Sequence, residues 1–322
     1  MRASSILIVH SDRKTQRTVQ RVLGVTGRRV DIADDLEQGI QLLAHLSPVL
    51  VVVDGALSHN AEHSATIGKL IELAKERGAE ACMTLLGSTA IAQMPALLRL
   101  GAVTNLLVHQ MPILAEELTI TAQKLIRRDL FGAEKYLLWG TELHETTLIR
   151  GSQRAEVVGA LAEQVRAFGQ SARVVSMAML VADELLSNAV HNAPIDAAGN
   201  HHRKDLARAD ELELDARQQI RLRWGCDARY LAIEVTDQFG TLDRDTILAS
   251  LAKNDVRESG GGAGMGIALA YRSCDHLVFN LAPGVRTEII ALIDVRYPPT
   301  ERMSVSSYNV FVERPRGDDH TG

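Results

Sequence analysis

Five short runs of β-branched and apolar residues recur through the first third of this 322-residue chain: SILIV (5–9), RVDIA (29–33), VLVVVD (49–54), CMTLLG (82–87) and VTNLLV (103–108). Each is followed by a segment of helical length. Continuous apolar strands separated by helices are the mark of a parallel sheet buried on both faces. The pattern predicts an α/β fold: a doubly wound, flavodoxin-like sheet of five parallel strands. Ligand chemistry in such sheets gathers at the carboxyl ends of the strands, which puts His10, Ser11, Asp12, Asp54, Gly87, Ser88 and His109 around one rim.

Asp12 follows the first run, Asp54 closes VLVVVD, Ser88 or Thr89 follows the fourth run, and LRLGAV spans 98–103. Over about residues 4–126 these features resemble the receiver domains of two-component response regulators, so residues 1–126 are expected to form one domain. The resemblance implies an Mg²⁺ site in which Asp12 takes part and a phosphoacceptor at Asp54. The acidic cluster, however, has become His10, Ser11 and Asp12, which weakens the Mg²⁺ site. Within VHQMP the lysine that would neutralise an aspartyl phosphate is replaced by His109 or Gln110. Two readings stay open: phosphorylation at Asp54, or a pseudo-receiver used for docking or dimerisation. In the second, Asp54 is a polar residue ending a strand, and His10 and His109 are satisfied rim histidines.

Residues 111–130 read as the last helix of this domain, acidic early and with Lys124, Arg127 and Arg128 late, as the helix dipole favours. The aromatics of FGAEKYLLWG then suggest that 127–139 form a packed joint. A second domain is expected over 140–298, opening with the strand LHETTLI (143–149) and a helix over 152–168. A long helix over 171–193 follows and stops at Pro194. On it Glu184 and Asn188 are four apart and share a face, with Leu180, Val181, Leu185 and Leu186 as the apolar stripe. An amide oxygen is a good hard ligand for Mg²⁺, and a neighbouring carboxylate can take the proton of a hydroxyl attacking phosphorus.

Residues 195–218 are polar and read as a long loop, with His201 and His202 solvated. Two strands then run into Asp237, and GGGAGMG (260–266) opens another helix. Two further strands join at Pro283 and Gly284, and 299–322 are expected to add one strand, SYNVFVE, and a disordered tail. Glycines at a helix mouth let backbone N–H groups close around phosphate. A strand-terminal carboxylate can accept a hydrogen bond from an exocyclic amine. Each feature alone has a plain explanation: core helices carry Glu and Asn, and turns use glycine.

Together, ELLSNAVHNA, VTDQFG, GGAGMGI and GVRTEIIALI resemble, in order, the N box, two glycine boxes and closing strand of the GHKL (Bergerat-fold) ATPases. The resemblance covers about 140–298 and implies a two-layer α/β sandwich that binds ATP and Mg²⁺. It implies that Asn188 binds Mg²⁺, Glu184 is the catalytic base, Asp237 recognises adenine, Gly240, Gly262, Gly264 and Gly266 line the nucleotide site, and Thr287 supports adenine. Phe239 and Thr241 replace two glycines of the first box, and Asn192 stands where a His is common. The compact N-box helix is most similar to the anti-sigma-factor serine kinases. That branch implies a protein partner such as a sigma factor or an antagonist, with a non-catalytic, nucleotide-gated sequestering module or scaffold as the alternative.

Net charge of −5 gives no basic surface for nucleic acid, and no apolar run of about 18 residues suggests a membrane span. Cys82, Cys226 and Cys274 lack the spacing of a disulfide framework or a zinc site. The expectation is a cytoplasmic signalling protein, with homodimerisation open.

Overall fold

The computed structural model describes residues 5–58, 60–87, 95–109, 113–195, 214–215, 218–252, 265–296 and 307–313. The chain divides into two compact units: Met1–Leu130 together with Asn309–Phe311, and Phe131–Tyr308 together with Val312–Gly322.

The first unit alternates strands β1 (Ser5–Val9), β2 (Val30–Ala33), β3 (Pro48–Asp54), β4 (Ala81–Gly87) and β5 (Asn105–His109) with helices α1 (Arg13–Gly24), α2 (Leu36–Leu43), α3 (Ala61–Glu76), α4 (Pro95–Leu98) and α5 (Ala115–Arg127). The strands are parallel in the order β2-β1-β3-β4-β5, which belongs to the flavodoxin-like doubly wound class. Local chemistry fixes where the helices start. Asp12, Asp35 and Asn60 each turn a side-chain oxygen onto a backbone N–H three residues on, capping α1, α2 and α3. β1 is buried throughout and β3 nearly so, as their uninterrupted apolar runs require.

One element of this unit comes from far downstream. Strand β11 (Ser307–Val312) neighbours β5, and its residues Asn309–Phe311 belong to the first unit. Its presence changes the environment of α5. Glu117 and Lys124 of this helix are buried: Asn309 Nδ2 donates to Glu117 Oε1 at 3.0 Å, and Lys124 Nζ lies 4.6 Å from the centre of the Phe311 ring.

The second unit contains β6 (His144–Leu148), α6 (Arg154–Ala167), α7 (Ala172–Ser187), β7 (Ile220–Cys226), β8 (Tyr230–Asp237), α8 (Arg244–Ala252), α9 (Met265–Arg272), β9 (His276–Ala282) and β10 (Arg286–Asp294). Its strands run antiparallel in the order β9-β10-β8-β7-β6. β8 is buried at every residue, so both faces of the sheet are covered. α7 packs on β8 and β10, and α6 on α7. The other cover is the segment expected to be a joint. Gly132 N–H donates to both carboxylate oxygens of Glu288 at 2.9 and 3.0 Å, and Ala133 N–H to Glu234 Oε2 at 2.8 Å. Arg223 and Arg221 pair with Glu234, and Asn280 Nδ2 donates to Glu288 at 2.7 Å. Two carboxylates in the middle of a sheet are tolerable because each is met by several donors.

The long helix departs from the sequence reading in three ways. It is α-helical only to Ser187, after which Asn188–Asn192 widen into a π turn closed by Ala193 N–H to the Asn188 carbonyl at 3.0 Å. Leu180, assigned to the apolar stripe, is 40% exposed, while Val181, Leu185 and Leu186 are fully buried. Finally, Ala172–Asn192 is long and apolar enough by length and composition to cross a membrane, with mean hydropathy 1.2, although no such run was expected. Over half of this stretch is buried within the unit.

Removing one buried carboxylate tests the packed segment. Glu288→Ala removes the side-chain acceptor of the Gly132 N–H and of Asn280 Nδ2, at about 1–3 kcal/mol for an orphaned buried donor. Urea unfolding should show the second unit destabilised by that order, with residues 131–136 becoming sensitive to limited proteolysis. An unchanged unfolding curve would remove the carboxylate cluster from the account of how this segment is held.

Candidate functional site

The sequence-predicted residues of the second unit fall into two groups. The first forms at the end of α7. Asn188 N–H still donates to the Glu184 carbonyl, so the α-helical register that stacks the two side chains survives up to the start of the π turn. Asn192, four residues on, donates from Nδ2 to Asn188 Oδ1 at 3.2 Å. Such local widening is frequent at functional sites because it re-aims side chains without ending the helix. Glu184 reaches toward the start of α9: a Cβ built on Gly266 would lie only 2.6 Å from Glu184 Oε2. A side chain at position 266 would have to displace the end of the Glu184 side chain from this position.

The second group forms at the end of β8. Asp237 and Thr287 are direct partners in the β8–β10 ladder and share a face. Asp237 is 3% exposed, and its Oδ1 accepts from Phe239 N–H at 2.9 Å and Gly240 N–H at 3.2 Å. Burial pushes this carboxyl up from 3.8 to about 6, with the two backbone donors holding it back. The Thr287 hydroxyl leans toward Asp237 without completing a hydrogen bond, and its Oγ1 is buried with no partner of normal geometry. Gly240 has a packing role. At φ +60, a Cβ there would lie 2.4 Å from the Ala282 carbonyl, and its own carbonyl accepts from Gly284 N–H at 3.0 Å.

Thr241 joins the two groups. Its hydroxyl donates to the Ala193 carbonyl at 2.7 Å, tying the loop after β8 to the end of α7. Neither this tie nor the π turn was legible in the sequence, since a Thr in a polar loop has no signature of its target. Gly262 and Gly264 lie outside the described residues, as do Ser88, Thr89, Gln110, His201 and His202.

In the first unit the rim is partly self-satisfied. Asp12 spends Oδ2 on Thr15, accepting from its backbone N–H at 2.7 Å and its hydroxyl at 2.6 Å, which holds this exposed carboxyl below its usual range. Asp54 is 7% exposed; its Oδ1 accepts from Ala56 N–H at 2.8 Å, and its Oδ2 lies 3.5 Å from His10 Nδ1. That nitrogen also faces the Asp12 N–H at 3.0 Å. Burial holds the His10 imidazole below its ordinary value, opposed by the Asp54 and Asp12 carboxylates. Among the described residues no group of three or more His, Cys, Asp or Glu is placed to hold a metal ion.

No protein-family model and no curated protein matches the chain. Among solved structures it is similar to the receiver domain of NtrX from Brucella abortus, at 19% identity and TM-score 0.32 over 38% of this chain and 98% of that one. It is similar to a response regulator receiver domain protein from Clostridium thermocellum, at 16% identity and TM-score 0.31 over 39% and 95%. A third likeness is to full-length FixJ from B. japonicum, at 18% identity and TM-score 0.31 over 57% and 79%.

The buried carboxyl gives a pH test with a definite sign. Folded Asp237 keeps its proton to higher pH than the unfolded chain does, so stability falls as pH rises from about 4 to about 6 and then levels off. The shift corresponds to about 3 kcal/mol at neutral pH. Asp237→Asn keeps the acceptor for Phe239 and Gly240 and removes the charge. In urea titrations the variant should lose this pH dependence and be at least as stable as the parent at pH 7. A variant less stable than the parent at pH 7 would mean that the charge is compensated.

Proposed function

We propose that this chain is a signal-transduction protein in which a receiver-like unit accompanies an ATP- and Mg²⁺-binding unit of GHKL type, acting as a serine/threonine protein kinase on a protein partner such as a sigma factor or its antagonist. The observation that carries the reading is the pairing of Glu184 with Gly266, which lets an acid on α7 meet the mouth of a glycine-led helix while Asn188 stands on the same face. The residues at the end of β8 fit a purine. A buried Asp237 oxygen not engaged by Phe239 and Gly240 can accept from an exocyclic amine, and the unpartnered Thr287 hydroxyl can bond a ring nitrogen or a water beside it.

ATP with Mg²⁺ would supply a transferable phosphoryl group at this site. Asn188 Oδ1 would be a metal ligand, Glu184 would accept the proton of the incoming hydroxyl, and the backbone N–H groups at Gly262, Gly264 and Gly266 would face phosphate. In the first unit, Asp54 is the candidate phosphoacceptor and Asp12 the candidate Mg²⁺ ligand, with Asp12 already engaged as the cap of α1.

The hydrogen bond from Asn192 to Asn188 favours a second reading, a nucleotide-gated module that binds a partner without transferring phosphate. Asn188 must keep or give up that bond when it meets a cation.

Two variants separate the readings. Asn188→Ala should abolish Mg²⁺-dependent ATP binding in calorimetry. Glu184→Gln should leave binding intact and lower phosphate transfer to a co-purified protein by about 10²–10⁴-fold, the range for loss of a general base. Transfer that survives Glu184→Gln removes Glu184 from that role, and binding without transfer in the parent selects the second reading.

A further inference from the structure

We infer that β6, the outer strand of the second unit, pairs antiparallel with β6 of a second copy of this chain, about a two-fold axis at Thr146. β6 ends the strand order of its sheet, and among the described residues it ladders with β7 alone, without a break from His144 to Leu148. An edge of this kind presents unpaired backbone N–H and C=O groups, and chains that remain single blunt it with lysine, proline or a bulge. HETTL has none of the three. Apolar side chains stand exposed at both ends of it. Trp139 is fully exposed on a turn that is held firmly: Leu138 N–H donates to Asp227 Oδ2 at 2.7 Å, Thr141 N–H to the Leu138 carbonyl at 3.0 Å, and Gly140 takes φ +88. Ile149, just past the strand, is 44% exposed. Antiparallel pairing sets the start of one β6 beside the end of the other, so Trp139 of each copy comes to the same end of the joined sheet as Ile149 of its mate.

The side chains choose the second copy and its register. Successive residues of a strand face opposite sides, and a two-fold axis through the sheet keeps each side, so β6 can meet its copy only with some residue opposite itself. Centring on Glu145 sets two carboxylates directly opposite each other, which is destabilising. Centring on Thr147 carries Glu145 past the end of the second strand, against Ile149. Centring on Thr146 uses the whole strand: Thr146 meets Thr146, Glu145 meets Thr147 and His144 meets Leu148, the last two pairs twice over by symmetry. The charges then complement one another. β7 sets Arg223 beside Glu145 and Arg221 beside Thr147, and Arg223 Nε lies 3.7 Å from Glu145 Oε2. Across the joined sheet the row runs Arg223, Glu145, then Thr147 and Arg221 of the second copy. The carboxylate thus lies between two guanidinium groups, with only a short hydroxyl side chain separating it from the second.

Sedimentation equilibrium of the full chain tests the inference. The parent should dimerise reversibly at concentrations up to about 100 µM. Glu145→Arg leaves three guanidinium groups in the row and no carboxylate, twice over, so the dimer dissociation constant should rise about tenfold or more. Thr147→Glu sets carboxylates opposite each other and should also weaken the dimer. Within its own chain it offers Arg221 an added carboxylate across the ladder, so its urea midpoint should match or exceed the parent's. Glu145→Arg/Thr147→Glu places a guanidinium opposite a carboxylate again and should restore the dissociation constant to within about threefold of the parent's. The inference is overturned by a parent that stays monomeric over this range, by single variants that dimerise as the parent does, or by a double variant no better than the weaker single one. The last two outcomes put self-association on another surface or in another register.

Discussion

A carboxyl group shut away from water at the end of a central strand sets the terms for the second unit. β8 is covered on both faces, so Asp237 cannot reach solvent, and burial is offset in part by the backbone N–H groups of the turn that follows and by Thr287 across the ladder. That arrangement raises the energy of the charged form. Everything around it serves to keep the turn in place: Gly240 pressed on the β9–β10 hairpin, Thr241 tied to Ala193, and Thr287 facing across the ladder.

The same economy appears at α7. Its buried stripe anchors the helix, and beyond Ser187 the π turn carries Asn188 and Asn192, whose side chains are hydrogen-bonded to each other. The helix is thus regular where it packs and irregular where the candidate chemistry lies. The end of the Glu184 side chain lies over Gly266 at the start of α9.

How much of this could be read from residues alone follows from the range of each interaction. The five apolar runs of the first unit and the caps at Asp12, Asp35 and Asn60 are local signals, whereas the order of the strands is set by long-range pairing. The pairing of Glu184 with Asn188 was legible because helical spacing alone dictates it. The approach of Gly266 to Glu184, separated by 82 positions, was visible only as a motif and not as a contact. The burial of Glu117 and Lys124 was hidden altogether, since a charged helix face looks solvated until one knows that Asn309 and Phe311 return to cover it. The role of residues 131–136 was hidden for a related reason: their contribution is made by backbone N–H groups, which every sequence has.

The return of residues 309–311 to the first unit also has a consequence during synthesis. Residues 1–130 leave the ribosome long before 309–311 exist, and at about 5–20 residues per second the intervening stretch takes on the order of ten to forty seconds. Through that interval the nascent first unit carries a bare β5 flank while the second unit is still being made. A chain with this connectivity is most exposed to intermolecular strand pairing early in its life, and its final native contact is among the most non-local that it forms.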